Sequence, residues 1–346
     1  MQIILFIGIL IFTFMVNSIF KKKNFFSSYT GETHQTLAGK KNVPLSGGIF
    51  ILLFVFASIL ENHNFLFFYD FYIYSIFSIF LLGFFADINL LSSPKIRFMI
   101  QIVLLFSFTY IVKLHIPSTR IFFFDELLKN PLLSLLFTSF CLIVVINGTN
   151  FIDGLNGLVI GYYMSIILIL FNLGLLENLV PNTQLLFLII FFLLFLFLLN
   201  IFSQLYLGDS GAYLISFIAC VSLIEIYSKN QNISPFFIIL LLWYPAFENL
   251  FSILRKFNFK LSPALPDKHH LHQLIFILIK KNTSYKNNTN NISSFIIIFY
   301  NMLIFLIASI DFQNTKYQII LILFNIIVYI FVYSKIFSFL KLNKKN

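Results

Sequence analysis

Polar residues that could do chemistry are concentrated in one stretch, which runs from Asn147 to Leu158 and reads N-G-T-N-F-I-D-G-L-N-G-L. It holds three Asn, one Asp and three Gly between apolar segments at 132–146 and 159–176. Polar groups at membrane depth are costly, so such a stretch needs a reason. One interpretation is a solvated loop in which Gly and Asn turn the chain; we favour a polar site at the edge of a membrane. In a helix, the polar residues that recur every three positions would share one side: Asn147, Asn150, Asp153 and Asn156.

Three more Asp residues lie in short polar segments, and each also has a simpler structural explanation. Asp87 follows G-F-F-A and is either a helix-end charge or a functional carboxylate. Asp209 lies in L-G-D-S-G, as a helix N-cap or as a carboxylate beside glycines that let a ligand approach the backbone. Asp267 lies in P-D-K-H-H-L-H-Q, where the histidines are metal ligands or donors to a phosphate. Lys40 and Lys41 are either a basic anchor or contacts to phosphates.

The composition places these clusters in a membrane protein. The chain has 346 residues, of which 59% are hydrophobic and 10% are charged, and no soluble domain needs that much apolar surface. A spanning helix needs about 20 apolar residues. We therefore predict an all-α polytopic integral membrane protein with a single transmembrane domain over 1–346. The predicted spans number about eleven and lie at 2–20, 46–60, 65–85, 98–116, 131–146, 157–176, 185–203, 211–227, 235–254, 292–310 and 317–338.

Basic residues give the orientation, because cytoplasmic loops are enriched in Lys and Arg. One set of alternate loops, together with the C-terminal end, carries 18 of the 23 Lys and Arg, and the other set carries 5. We therefore predict an N-terminus outside and a C-terminus in the cytoplasm. The net charge of +10 is mostly this bias and does not indicate nucleic-acid binding. The cytoplasmic polar loops then lie near 21–45, 86–97, 147–156, 204–210 and 255–291.

All four Asp clusters fall on the predicted cytoplasmic face. Carboxylates near Lys and His suit a hard cation such as Mg²⁺ that holds a pyrophosphate, with basic groups stabilising the charge that develops. A transporter is the alternative from another class, and it would carry its charges nearer the bilayer midplane. The residues that could serve a transporter in this way are Asp70, Glu225 and Glu248.

Taken in order, the motifs resemble those of a known family. They are G-x-x-x-D with a following P-K-x-R-x-x-x-Q, then N-x-x-N-x-x-D-G-x-N-G-L, G-D-S-G and P-D-K-x-H-L-H, between about Pro44 and Gln273. This order is similar to that of the polyprenyl-phosphate N-acetylhexosamine-1-phosphate transferases, which form glycosyltransferase family 4. The superfamily includes the enzymes that start O-antigen and teichoic acid assembly, and the phospho-N-acetylmuramoyl-pentapeptide transferase of peptidoglycan synthesis.

The resemblance implies an enzyme of the inner (cytoplasmic) membrane of a bacterium. It would transfer a sugar-1-phosphate from a UDP-N-acetylhexosamine to a polyprenyl phosphate such as undecaprenyl phosphate, with Mg²⁺ required, and would release UMP. The product would initiate a cell-envelope polysaccharide such as lipopolysaccharide. Membrane lipids are further partners, and a homodimer stays open. The catalytic residues implied are Asp87, Asp209 (also the metal ligand), His270 and His272. The substrate-binding residues implied are Asn147, Asn150, Asp153, Asn156 and Lys41.

Departures from the family's pattern bear on activity. The family usually has two adjacent Asp after its third span, and here they are Ala86 and Asp87. The first has been proposed as the base that deprotonates the lipid phosphate, but a phosphate monoester has a second pKa of about 6 and is already largely ionised. The last His of the motif is Gln273, and the usual Asp of the ninth span is Glu248. We expect an active enzyme; the alternatives are the peptidoglycan enzyme, a catalytically impaired homologue and a transporter.

Overall fold

The computed structural model describes residues 2–27, 43–61, 70–177, 179–180, 182–258, 260, 269–282 and 288–342. In these ranges the regular structure is helical and contains no strand, which confirms the all-α prediction. The helices are α1 (Gln2–Lys23), α2 (Gly47–Glu61), α3 (Asp70–Asp87), α4 (Pro94–Val112), α5 (Phe122–Leu128), α6 (Pro131–Ile152), α7 (Leu158–Asn172), α8 (Thr183–Ile201), α9 (Gly208–Lys229), α10 (Pro235–Leu241), α11 (Trp243–Asn258), α12 (Leu271–Asn282), α13 (Thr289–Ser309) and α14 (Thr315–Leu342).

Most of these helices are candidates for crossing a membrane. Seven of the described helices are long and apolar enough, namely α1, α4, α6, α8, α9, α13 and α14, and the bent pair α10–α11 makes up to eight. Shorter apolar helices, α2, α3 and α7, lie where the sequence also predicts spans. The structure therefore confirms a polytopic membrane protein, while the count of eleven stays a prediction.

Helix α9 is the centre of the bundle and packs against α2, α3 and α6. It begins with the small residues G-D-S-G-A, so that neighbouring backbones come very close. A Cβ on Gly83 of α3 would lie 2.7 Å from the carbonyl carbon of Asp209, and a Cβ on Gly48 of α2 would lie 2.6 Å from the backbone nitrogen of Gly211. The glycines of α2 and α3 therefore determine how closely these helices approach the start of α9.

The ninth predicted span, 235–254, is not one straight helix, because the chain bends by 74° between α10 and α11. Pro245 has no N–H and cannot bond the carbonyl of Leu241 one turn before it. The hydroxyl of Tyr162 donates to that carbonyl instead, at 2.7 Å. After the bend α11 lies against α6, where the carbonyl of Pro245 contacts the position that a Cβ on Gly148 would fill.

Helices α1, α4 and α14 form much of the outer surface. Only 17%, 22% and 22% of the residues in their most apolar windows are buried. Apolar side chains with this exposure are stable against hydrocarbon, and the helical backbone satisfies its own polar groups there.

The bundle has two ends of different character. The polar end contains the C-termini of α3, α6, α8 and α11 and the N-termini of α2, α4, α7, α9, α12 and α13. The other end, which we call the Arg120 end, contains α5 and the connections that follow α4, α9 and α13. Helix α9 runs from one end to the other, and its 22 residues span about 33 Å. The predicted cytoplasmic loops meet at the polar end wherever the structure describes them.

Candidate active site

The first turn of α9 is held by Asp87, the last residue of α3. Its carboxylate accepts hydrogen bonds from the backbone N–H of Asp209 at 2.7 Å and of Ser210 at 3.1 Å, and from the Ser210 hydroxyl at 2.6 Å. Such N–H groups at a helix start have no helical partner, and a negative charge is favourable there. Gly208 has a φ of +74°, and a Cβ on it would lie 2.7 Å from a carboxylate oxygen of Asp87. Asp87 therefore sets the position of Asp209 and requires glycine at 208.

The Asp209 carboxylate forms an ion pair with Arg97, which lies in the first turn of α4. Ser93 caps α4 by accepting from the N–H of Ile96, and Pro94 begins the helix. The side chains of Arg97 and Asp209 are 20% and 26% exposed, so ligands can reach the pair. Arg97 is in the P-K-x-R motif, but its contact with Asp209 arises from helix packing and has no signal in the spacing.

Asp153 lies at the C-terminus of α6, near Asp209. Loss of solvent around Asp153, and after it the negative charge of Asp209, raises the pKa of Asp153 to about 8. Charge repulsion of this kind is relieved when two carboxylates share a proton or a cation. Helix α6 continues to Ile152, beyond the predicted end of the span at 146. Asp153 follows it with φ −76° and ψ 47°, outside the helical region.

Asn147 faces α4. Its Nδ2 donates to Gln101 Oε1 at 2.8 Å and to the carbonyl of Ile143 at 2.9 Å. Gln101 is fully buried, and its own Nε2 has no hydrogen-bond partner in the described part of the chain. Asn150 is half-buried one turn later, and its carbonyl accepts from the N–H of Asp153 at 3.3 Å. Both asparagines therefore lie on the last turns of α6, as the helical interpretation of their spacing predicts.

Amide contacts fasten the turn between α6 and α7. Asn156 is buried; its Nδ2 donates to the Ser203 hydroxyl at 2.9 Å, and its N–H donates to Asn290 Oδ1 at 2.7 Å. Gly157 has a φ of +76°, and its N–H donates to Asn200 Oδ1. These bonds join the turn to α13 and to the end of α8. The side chain of Asn156 holds the turn in place, so its predicted contact with the nucleotide sugar gains no support from its surroundings.

A buried carboxylate orients the histidine segment, by which we mean residues 269–273. Glu248 of α11 is fully buried, and its Oε1 accepts from His270 Nδ1 at 2.9 Å. Since an ionised carboxylate only accepts, we assign the His270 proton to Nδ1, which turns the Nε2 edge away from Glu248. The ring of His272 stacks on that of His270, with centroids 5.7 Å apart. It also lies against Gly154, where a Cβ would be 2.7 Å from the Nε2 of His272. Both histidines therefore lie beside the α6–α7 turn.

The polar end gathers most of the predicted site. The predicted residues found there are Asp87, Asn147, Asn150, Asp153, Asn156, Asp209, His270 and His272. Lys41 and Asp267 lie outside the described residues. Glu248, which the sequence leaves as a transporter candidate, joins this site through His270, whereas Glu225 near the other end of α9 accepts from the Tyr72 hydroxyl at 2.9 Å.

The donor set fits a magnesium ion that completes its coordination with substrate. Among the described residues, no three His, Cys, Asp or Glu side chains come close enough to hold a metal ion by themselves. Mg²⁺ is commonly bound by one or two carboxylates together with substrate phosphates and water. Asp153 and Asp209 offer two oxygen ligands, and their negative charges repel each other. A cation bound between them would remove this repulsion.

Comparisons with known proteins agree with the motifs. The profile of glycosyl transferase family 4 matches residues 69–227, a segment that runs through α3 to α9. Two similar curated proteins are undecaprenyl-phosphate alpha-N-acetylglucosaminyl 1-phosphate transferases, from Salmonella typhi and from Salmonella typhimurium strain LT2. Each is 25% identical over 199 residues, which cover 53% of this chain and 52% of the relative.

The chain thus spans about half the length of the curated relatives it matches. The matched segment contains Asp87, Asp153 and Asp209, the carboxylates that meet at the start of α9 and the end of α6. The histidine segment lies beyond the end of the profile match. These findings confirm the resemblance of this chain to the polyprenyl-phosphate N-acetylhexosamine-1-phosphate transferases of glycosyl transferase family 4.

Proposed function

We propose that this protein transfers N-acetylhexosamine-1-phosphate from a UDP-sugar to a polyprenyl phosphate, such as undecaprenyl phosphate, and releases UMP. One observation carries the proposal: separate loops bring Asp153 and Asp209 together with Arg97 and a pair of oriented histidines at one end of a membrane bundle. A cation held by two carboxylates, together with a guanidinium and imidazoles, would suit a charged diphosphate. The curated relatives are named as undecaprenyl-phosphate alpha-N-acetylglucosaminyl 1-phosphate transferases, which supports the acceptor and the transferred group of the proposal.

The reaction is an in-line displacement at phosphorus. An oxygen of the lipid phosphate attacks the β-phosphorus of the UDP-sugar, and the bond from that phosphorus to the bridging oxygen breaks, so that UMP leaves. Catalysis of such a transfer depends mainly on positioning and charge stabilisation. Because a phosphate monoester with a second pKa of about 6 is already largely ionised, Ala86 in place of the family's first Asp is compatible with turnover.

The chain's own groups take three roles in this proposal. Asp153 and Asp209 would hold a magnesium ion, and that ion would withdraw negative charge from the diphosphate. Arg97 neutralises charge on the same side of the site, next to Asp209. His270, with Nδ1 bonded to Glu248, directs its Nε2 edge toward the diphosphate, and His272 beside Gly154 lines the same wall.

The proposed topology has eleven spans, the N-terminus outside and the polar end in the cytoplasm of a bacterium, at its inner membrane. It is supported by Lys95 and Arg97 at the start of α4 and by Lys21, which donates to Gln204 between α8 and α9, because basic residues at the polar end mark the cytoplasmic side. Lys95 is exposed. A membrane-impermeant maleimide should label Lys95→Cys in inside-out vesicles and leave it unlabelled in intact cells; the reverse pattern would contradict the orientation.

UMP release by the purified protein tests the function. The assay contains detergent, undecaprenyl phosphate, Mg²⁺ and a panel of UDP-N-acetylhexosamines, with Asp209→Asn beside the wild type. Asp311→Asn is the matched control, because Asp311 is exposed at the Arg120 end. We expect UMP and a lipid-linked sugar with one donor, a loss of about 100-fold or more in Asp209→Asn, and wild-type activity in Asp311→Asn.

Two results would count against the proposal. Full activity in Asp209→Asn would remove the carboxylate from the reaction. If no donor yields UMP, Ala86→Asp is tested next: recovery would identify an impaired homologue, and continued inactivity would reject the transfer reaction.

A further inference from the structure

The C-terminal helix α14 carries an aromatic stripe that runs along the histidine segment. The stripe consists of Tyr329, Tyr333 and Phe337, which recur every four residues and so share one face of the helix. Their rings stack in series: the centroids of Tyr329 and Tyr333 are 6.2 Å apart, and those of Tyr333 and Phe337 are 5.8 Å apart. Tyr329 is only 2% exposed, although much of α14 faces outward. This face therefore packs into the protein while the rest of the helix does not.

Each ring of the stripe contacts the histidine segment or a residue that holds it. The Tyr329 hydroxyl donates to Glu248 Oε2 at 2.8 Å. Tyr333 accepts from Arg255 Nη1 at 3.2 Å, and the same guanidinium donates to the carbonyl of His269. The ring of Phe337 packs against that of His269, with centroids 5.7 Å apart.

Glu248 connects this helix to His270. One carboxylate oxygen accepts from Tyr329, and the other accepts from His270 Nδ1 at 2.9 Å and from the N–H of Leu271 at 3.3 Å. The carboxylate is fully buried, and a buried charge is stable only when hydrogen bonds compensate for its lost hydration. Without the Tyr329 hydroxyl, Oε2 of Glu248 would lose this hydrogen-bond donor. The carboxylate would then no longer be held from the α14 side in the position that orients His270.

We propose that α14 is a positioning helix for the active site, and that Tyr329 acts through Glu248 to fix the orientation and the Nδ1–H tautomer of His270. The inference rests on the proposed function for its catalytic consequence, but the structural link is independent of it. We class Tyr329 as a positioning residue because its hydroxyl contacts Glu248, which in turn contacts His270. Its position, well beyond the matched segment 69–227, separates it from the residues that the family motifs indicate.

The test compares two Tyr→Phe variants that each remove one oxygen atom. Tyr329→Phe removes the donor to Glu248. Tyr300→Phe is the control, because the Tyr300 hydroxyl also donates to a side chain of α14, Asn325 Oδ1 at 2.6 Å. In the described part of the chain it does not contact Glu248 or the histidine segment. The first readout is the imidazole ¹H–¹⁵N spectrum of histidine-labelled protein, in which the His270 signal is identified by its loss in His270→Asn. We expect Tyr329→Phe to shift that signal and Tyr300→Phe to leave it in place.

The second readout is turnover. We expect kcat for UMP release to fall about 10-fold in Tyr329→Phe, a loss typical of removing a group that orients a histidine, while KM for the UDP-sugar stays unchanged. In the His270→Asn background the same change should cost nothing more, because the two residues act as one unit.

The outcomes separate the two proposals. An unchanged His270 signal in Tyr329→Phe, an equal loss of kcat in Tyr300→Phe, or additive losses in the double variant would each overturn the positioning role. A wild-type protein that releases no UMP would defeat the proposed function, whereas the spectrum would still decide whether Tyr329 orients His270.

Discussion

Asp209 is held at two points, and the two contacts differ in kind. Its backbone N–H is bound by Asp87, which fixes where the residue lies, and its carboxylate is paired with Arg97. Before any substrate arrives, therefore, the carboxylate already has a cationic neighbour. Arg presents a planar fork of donors that matches phosphate as well as carboxylate. We expect Arg97 to exchange part of its contact with Asp209 for phosphate oxygens when a diphosphate binds.

Asp153→Asn should stabilise the protein, and more so as the pH rises. The pKa of Asp153 is raised from 3.8 to about 8 in the folded protein. Between these values the folded state keeps a proton that the unfolded chain gives up, so stability falls as the pH rises from about 4 to about 8. The variant lacks this penalty. Its gain in Tm over wild type, measured in detergent, should grow from about pH 5 to about pH 8 and level off above.

Asp311→Asn again serves as the control, because it makes the same change at an exposed position at the Arg120 end. Added Mg²⁺ should reduce the advantage of Asp153→Asn, because a nearby cation favours the charged carboxylate. A constant advantage of Asp153→Asn across the whole pH range would contradict desolvation and charge repulsion as its cause.

At this scale the sequence predicts residue types better than contacts. Asp153 and Asp209 could be selected because their motifs combine carboxylates with glycines, and His270 and His272 could be selected because three His cluster beside an Asp in one polar loop. The pairing of Arg97 with Asp209, and of Glu248 with His270, could not, since both contacts join segments that only helix packing brings together. Asn156 shows the reverse case: its residue type predicts a ligand contact, and in the structure its side chain donates to the Ser203 hydroxyl, so the contact with the nucleotide sugar stays a prediction.

At the scale of the helices, the position of α9 depends on glycines in the neighbouring helices α2 and α3. Gly83 of α3 and Gly48 of α2 bring two backbones against its first turn, the turn that carries Asp209. The close approach allows Asp87 to reach two consecutive N–H groups of α9. The position of the carboxylates is therefore a property of three helices together.

Gly83→Ala should destabilise the protein and reduce activity. Its added methyl group would lie 2.5 Å from the backbone nitrogen of Ser210 and 2.7 Å from the carbonyl carbon of Asp209, and neither can move without shifting the helix. Overpacking of this kind costs about 1–3 kcal/mol. Thermal unfolding in detergent should show the loss, and UMP release should fall because Asp87 and Asp209 separate.

Gly8→Ala is the control, because a Cβ on Gly8 of α1 has no atom within 4 Å in the described part of the chain. That variant should keep both the wild-type Tm and the wild-type rate. A Gly83→Ala protein that matched it in both measurements would show that α3 and α9 can separate without consequence.

The helices themselves are the part of the fold that hydropathy predicts well. Every predicted span coincides with a helix or with the bent pair. The extension of α6 to Ile152 was missed because Asn147 and Asn150 look like loop residues until their partners on α4 are known. The bend before α11 was missed although Pro245 lies in the span, because proline is tolerated in spanning helices and the sequence does not show that Tyr162, from another helix, bonds the carbonyl of Leu241.

The whole molecule carries its candidate active site at the polar end and a cluster of stabilising hydrogen bonds at the Arg120 end. At the end opposite the carboxylates, the Arg120 guanidinium connects two loops that follow α9 and α13. Its acceptors are Gln313 O at 2.9 Å, Thr315 Oγ1 at 2.9 Å, Gln231 O at 2.7 Å, Asn232 O at 3.0 Å and Ile233 O at 2.9 Å. No catalytic candidate among the described residues lies near it.

Arg120→Ala should therefore lower stability and spare catalysis. Hydrogen bonds from a charged donor contribute about 1.5–3 kcal/mol each when protected from water, and less when exposed as here; we expect a total loss of about 1–2 kcal/mol. The Tm should fall while kcat below the transition stays at the wild-type value. Lys129→Ala is the control, since that exposed lysine pairs with Glu126 at the surface and should matter little. A fall in kcat at unchanged Tm would show coupling between the two ends.

The hydrogen bond between Asn156 and Asn290 can form only after α13 has been synthesised, which bears on when the candidate active site is completed. A ribosome that has just completed α11 has already made Asp87, Asp153, Asp209 and Glu248. It has not yet made Asn290, the acceptor that fastens the α6–α7 turn, nor the phenol that holds Glu248. Until α13 and α14 have been made and inserted, the nascent chain therefore lacks these two hydrogen bonds to the α6–α7 turn and to Glu248. We therefore expect the site to be completed late, because a chain terminated before α13 would carry these charged groups without the contacts that Asn290 and Tyr329 supply.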